Sequence, residues 1–189
     1  EIPVEAFWAD IDENGTLYIL AYTKHKALMY YSISNGKITS SNLARINSPD
    51  QTLRTPMIIY NKGVVEVYYV VKNSFGSVAV CYRRVNNNWS GSKLYSSNGE
   101  LEIATYDKGT KRLFLQERGS GGFKLLELYE GNVSTVAPSS MPFHSVHSCN
   151  DMLMYENINQ IFFNKQLLAS GCNPCLHIED NNIFVLYEK

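Results

Sequence analysis

Three glutamates, Glu117, Glu156 and Glu188, each stand where an apolar run of Tyr, Val, Ile, Leu or Phe gives out. If the three runs are equivalent strands, the carboxylates occupy matching positions. Converging carboxylates can hold a hard cation through oxygen, or serve as acid and base on a glycosidic bond. The ordinary reading is that strand ends reach water and carry Glu or Lys there. Other candidate groups are weaker. His144 and His147 resemble a metal pair, but three residues apart on a strand they are expected on opposite faces. Cys172-Asn-Pro-Cys175 has the spacing of redox and zinc sites. A zinc site needs a second ligand pair, and Cys81 and Cys149 stand alone. A thioredoxin-type site needs a helix that no pattern here suggests. That leaves two small core residues or one local disulfide. Gly119-Ser120-Gly121-Gly122 joins two strand patterns with no helix to follow, so it reads as a hairpin rather than a phosphate loop. No Gly-x-Ser-x-Gly elbow occurs, and no cofactor or metal is expected.

The elements that must position these groups repeat along the chain. Five segments begin with a short apolar strand, turn at an Asn, Asp or Gly, and continue into a second strand rich in Tyr, Val, Ile and Leu. They start at Ala6, Pro56, Leu101, Phe143 and Pro174. The aligned turn residues are Gly15, Gly63, Gly109, Asn150 and Asn181, with spacings of 48, 46, 41 and 31 residues. Third strands are expected at Ala27 to Ser34, Ser77 to Val85 and Gly122 to Tyr129. Shorter, more polar fourth strands follow at Lys37 to Ile46, Trp89 to Tyr95 and Val133 to Ala137. The fourth repeat is compressed, with outer strands near Ile161 to Asn164 and Leu167 to Ser170. The repeats run over about 4–50, 51–98, 99–140, 141–170 and 171–189, in one domain.

Four antiparallel strands recurring about every 40 residues is the plan of a β-propeller blade. The second strands agree: Leu17, Ile19 and Ala21 lie on one face, Tyr18, Leu20 and Tyr22 on the other, and both faces are apolar. A blade wedged between neighbours needs two dry faces, whereas a sandwich strand with one wet face should alternate with polar residues. The expected fold is all-β, a propeller of about five four-stranded blades with the fifth incomplete; the alternative is an antiparallel β-sandwich. The pattern resembles β-propeller repeat proteins of the sialidase-like kind, in which a blade opens with Pro and an apolar strand. The likeness covers the whole chain but lies only in apolar and turn positions. The sialidase Ser-x-Asp-x-Gly-x-x-Trp turn, the WD dipeptide and the kelch double glycine are not found.

Composition limits function. The 189 residues carry 17 basic and 18 acidic side chains, a net charge of −1, with 44% hydrophobic and 19% charged residues. This is a folded chain without the basic field that nucleic acid requires. The longest apolar run, Val64 to Val71, contains Glu66, so no membrane insertion is expected. The first residue is Glu1, not Met, which fits a processed protein or a piece of a longer one.

In a propeller, loops leaving second strands and loops leading into first strands share the face around the central channel, the default ligand site. Candidate ligand-binding residues there are Lys24, Arg54, Lys72, Glu102, Glu117, Arg118, His144, Glu156 and Glu188, with Thr55 and Glu100 beside them. Exposed aromatics near strand ends, from Trp8, Tyr22, Phe75 and Trp89, could stack on sugar rings. The expected function is a non-catalytic binding module of a larger secreted or cell-surface protein, recognising glycan or protein. One alternative is a glycosidase-like propeller using paired carboxylates. Another is an assembly scaffold, in which a second copy or a further chain completes the last blade through its exposed edge.

Overall fold

The computed structural model describes residues 4–45, 48, 50–179 and 182–189. The aligned turn residue Asn181 lies outside the described residues. Every regular element described is a strand. The first sheet holds β1 (Val4–Ile11), β2 (Leu17–Thr23), β3 (Ala27–Ser34) and β4 (Lys37–Arg45). The second holds β5 (Thr52–Asn61), β6 (Val64–Asn73), β7 (Gly76–Val85) and β8 (Asn88–Ser97). The third holds β9 (Glu100–Asp107), β10 (Arg112–Gly119), β11 (Gly122–Tyr129) and β12 (Asn132–Ser139). The fourth holds β13 (His144–Cys149), β14 (Met152–Asn157), β15 (Gln160–Phe163) and β16 (Gln166–Ser170). The fifth is the pair β17 (Cys172–Glu179) and β18 (Asn182–Glu188). In each sheet strand order follows chain order, an antiparallel meander without a crossover.

Local chemistry sets this up. Two-residue hairpin turns of type I′ hold both residues at positive φ, which matches the twist of their strands. Asn35-Gly36, Lys62-Gly63, Glu130-Gly131 and Asn164-Lys165 all adopt it. Between such turns β6 is dry on both sides: Val65 through Val70 are all buried, Glu66 among them. Strand β2 departs from the expected two dry faces. Tyr18 and Leu20 are buried, but Leu17 and Ile19 are half-buried, and Phe7 beside them is exposed. The side carrying Ile19 and Ala21 forms a shallow apolar hollow with Val4, Phe7 and Tyr31.

First strands share another feature. In β5, β13 and β17 the register slips between Arg54 and Met57, His144 and His147, and Cys172 and Cys175. At each slip one residue (Thr55, Ser145 or Asn173) has positive φ. These are β-bulges, which insert an extra residue and re-aim the side chains around it. The bulge corrects the expectation for the two histidines: His144 pairs with Glu156 and His147 with Met154. Those partners are two residues apart, so the histidines share a face.

The chain forms two compact units, residues 1–103 and 104–189, with the boundary inside β9. In the first, Tyr18, Leu20, Leu28 and Tyr30 of the first sheet pack on Ile58, Val65, Val67 and Tyr69 of the second. In the second, Phe114 and Leu125 pack on Phe143, Leu153 and Tyr155. Each fully buried apolar side chain contributes about 1.5–3 kcal/mol.

Candidate functional site

Two sheet pairs, one in each unit, can be compared position by position. Leu20 pairs with Tyr30 across the first sheet, and Phe114 pairs with Glu127 across the third. Leu28 lies opposite Ala44 as Leu125 lies opposite Ala137, each beside a slip in register. Tyr60 pairs with Val65 as Ser148 pairs with Leu153. Arg112, two residues before Phe114, therefore matches Tyr18. Glu127 matches Tyr30, and Ser148 matches Tyr60. Arg84 sits opposite Val65, where Asn164 bonds to Leu153 through both backbone and side chain.

In the first unit rings fill the slot between the two sheets. Tyr18 stacks on Tyr60 at 5.4 Å and on Tyr30 at 6.4 Å, and Trp89 meets Tyr30 edge-on at 5.0 Å. Arg84 lies 5.0 Å over the Tyr30 ring and donates to its hydroxyl at 2.6 Å. Tyr18 donates to Asp12 at 2.9 Å, and Tyr60 to Glu13 at 3.0 Å. Burial, with the Asp12 bond and charge added, pushes the Tyr18 hydroxyl up to about 12.

In the second unit the same slot is open. Smaller or charged residues replace the rings, and a pocket of about 190 Å³ remains. Its floor is Phe114, Val136 and Leu153. Its walls are polar. Arg112 Nη1 lies 2.9 Å from Glu127 and 2.6 Å from Asp151, while its guanidinium sits 5.1 Å over the Tyr129 ring. The Nε of Arg112 is buried without a hydrogen-bond partner among the described residues. Lys165, in the β15–β16 turn, adds an exposed ammonium. Two cations face two carboxylates, so the formal charge of the lining sums to zero.

Asp107 fixes this geometry. It is fully buried at the end of β9. Its Oδ1 accepts from the backbone N–H of Gly109, Thr110 and Asn150 at 2.8, 3.2 and 3.2 Å. Its Oδ2 accepts from Asp151 N–H at 2.9 Å and Ser148 Oγ at 3.1 Å. Burial raises its carboxyl, but the bonds from Asp151, Thr110, Ser148 and Gly109 together outweigh that and hold it below the usual aspartate range. The carboxylate thereby ties the β9–β10 turn to the β13–β14 turn and sets where Asp151 stands.

The residues expected to carry a ligand lie at the opposite ends of the strands. In the first unit they form two ion pairs: Arg54 with Glu102 at 3.5 Å, and Lys72 with Glu100. Beside them the bulge residue Thr55 accepts from Ile103 N–H at 2.8 Å. Lys24 is exposed in the β2–β3 turn. In the second unit Glu117 faces its cross-strand neighbour Lys124 at 3.9 Å. Arg118 lies 5.8 Å over Phe123. His144 pairs in register with Glu156. Glu156 is buried and accepts from Asn173 N–H at 2.8 Å; Glu188 accepts from Asn173 Nδ2 at 3.0 Å. Glu156 and Glu188 thus meet at Asn173, while Glu117 is engaged elsewhere. Trp8, Tyr22 and Trp89 pack against the core, whereas Phe75 is 85% exposed at its turn tip. The four cysteines are free thiols, and Cys175 is exposed rather than in a core. Among the described residues no group of three or more His, Cys, Asp and Glu side chains is arranged to hold a metal ion.

No protein-family model matches the sequence, and no curated protein matches it. Solved structures do. A triple arginine-to-alanine mutant of AofleA from Arthrobotrys oligospora aligns over 99% of this chain and 66% of its own, with 11% identity and a TM-score of 0.52. The WD40 domain of SCAP from fission yeast aligns over 97% of this chain and 51% of its own, with 9% identity and a TM-score of 0.50. The fold is a β-propeller. Its blades are the five antiparallel sheets, four of four strands and the last of two. At such low identity the likeness is one of fold, and the chain spans about two thirds of one relative and half of the other. The pocket therefore lies between the third and fourth blades of a propeller, at the turns joining first to second strands. Repeat alignment could have found it, because Tyr18, Tyr30 and Tyr60 give way to Arg112, Glu127 and Ser148 at positions that pack inward elsewhere.

Proposed function

We propose that this propeller is a non-catalytic binding module that recognises a glycan or a protein partner. One observation carries the reading: of two matching slots between blades, one is closed by a stack of rings, and the other is open, polar and charge-balanced. A slot kept open forgoes the burial that rings supply next door, and a ligand is the natural occupant of that space. The strand-end residues offer a second, shallower polar surface in the Arg54–Glu102 and Lys72–Glu100 pairs. Display outside the cell is part of the same proposal, since glycans are met there.

The test pairs a glycan array with a turnover assay on aryl glycosides. Binding of at least one glycan, with no release of 4-nitrophenol, is the expected result. A blank array leaves only the protein partner. Release of 4-nitrophenol that Glu156→Gln abolishes would overturn the reading in favour of a hydrolase.

A further inference from the structure

Resting on the binding-module reading, we infer that the pocket between the third and fourth blades takes one neutral, polyhydroxylated ring, a monosaccharide unit or a molecule of that chemistry. Three features of the site select this class. The first is charge. Arg112 and Lys165 balance Glu127 and Asp151, so a ligand with net charge would be desolvated without a net counter-charge, which is costly. The second is hydrogen bonding. Glu127 and Asp151 only accept, Lys165 and Arg112 only donate, and a hydroxyl does both. Several hydroxyls around one ring can satisfy walls of mixed character where a single carboxylate or ammonium cannot. The third is shape. Phe114, Val136 and Leu153 give an apolar floor on which the C–H face of a sugar ring can lie. The pocket, about 190 Å³, is smaller than the roughly 300–1,000 Å³ of sites for drug-sized ligands. One ring is the fitting occupant.

Its position explains the asymmetry between blade pairs. In the first pair Tyr18, Tyr30 and Tyr60 occupy this space, so the site exists once among these two slots and not as a repeated feature. Asp151 and Lys165 are the residues that can be changed without disturbing the core. Both lie in turns at positive φ, 71° and 69°, and Asn tolerates that conformation.

The experiment is a titration of the full chain followed by amide chemical shifts. Methyl hexopyranosides serve as neutral ring probes, with acetate and ethylammonium as charged ones. Saturable shifts at Ser148, Asp151, Leu153 and Lys165 with a hexoside, and none with acetate or ethylammonium at the same concentration, are expected. Asp151→Asn and Lys165→Asn should each weaken hexoside binding about tenfold or more, the effect of losing one charge-assisted hydrogen bond. Lys93→Gln, on the exposed outer strand β8, should leave it unchanged. Preference for acetate or ethylammonium would overturn the ligand class. Glycan binding that neither Asp151→Asn nor Lys165→Asn weakens would overturn the site while leaving the binding module standing. A blank array together with a flat hexoside titration would remove the ligand class and the glycan half of the module at once.

Discussion

Asp107→Asn isolates the buried carboxylate that joins the third and fourth blades. Asparagine keeps the shape and one acceptor oxygen. That oxygen can still serve the N–H groups of Gly109, Thr110 and Asn150, which share Oδ1 in the parent. The other position becomes an NH2 group facing Asp151 N–H and Ser148 Oγ. Ser148 has a second acceptor in the Met152 carbonyl at 3.0 Å, so its hydroxyl stays satisfied. Asp151 N–H does not, and a donor left facing the buried side chain at 107 without a partner costs about 1–3 kcal/mol. Exchanging three charge-assisted bonds for neutral ones adds roughly 1 kcal/mol. The sum is about 2–4 kcal/mol. If the whole chain melts together, roughly 2–4 °C per kcal/mol lowers Tm by about 4–16 °C. Thermal melting by near-UV circular dichroism reads this, and hydrogen exchange should show lost protection at Asp151 before the rest of the sheet. The parent should also lose stability in acid. A carboxyl held low in the folded state gives stability that is complete above the ordinary aspartate value of about 3.9 and is lost as pH falls through the lower folded value. Asp107→Asn should remove that portion of the acid transition. A variant melting within about 1 °C of the parent, with unchanged acid dependence, would refute the account, since it would mean these five bonds contribute little net stability.

Tyr18 should report alkaline loosening of the first unit: with its hydroxyl raised to about 12, its stabilisation is complete below about pH 10 and lost as pH climbs from there through 12. Absorbance of tyrosinate at 295 nm should show a late-titrating tyrosine that Tyr18→Phe removes; an unchanged titration curve would count against the assignment. Arg112→Tyr combined with Glu127→Tyr brings two of the first slot's three tyrosines into the second, and should abolish hexoside binding while the protein melts at or above the parent temperature. Retained binding in that double variant would contradict the occupancy of the slot.

Much of the fold is legible because its determinants are local. The third strands Ala27–Ser34 and Gly122–Tyr129 have the bounds that the flanking turns imply, since Asn35-Gly36 and Glu130-Gly131 fix hairpin geometry within four residues of chain. What escapes is whatever depends on register. The bulge at Ser145 puts His144 and His147 on one face, and strict alternation predicts the reverse. The five-bond cradle of Asp107 draws on donors more than 40 residues away. Nothing in the Tyr-Asp-Lys-Gly stretch distinguishes it from an ordinary Asp-x-Gly turn. Of the two faces of β2 expected to be dry, the one with Tyr18 and Leu20 is covered, whereas Ile19 on the other faces a hollow beside exposed Phe7. Composition alone cannot assign one apolar face to a neighbour and leave another to water.

The open slot is legible only through comparison of repeats, and that comparison also bears on why it is charged. Partly buried ion pairs are weak sources of stability, and replacing them with well-packed apolar groups is often neutral or stabilising. This chain contains the replacement: Tyr18, Tyr30 and Tyr60 stack where Arg112, Glu127 and Ser148 stand two blades later. The fold accepts either solution at this position. Stability therefore does not account for the charged one, nor does any demand of the blade architecture. A local departure from good packing, in a chain that packs the matching place well, marks a position shaped by something other than folding. The buried Asp107 strengthens the point, for it spends five hydrogen bonds on holding the two turns that border the pocket, an investment in rigidity that a merely vacant gap would not require.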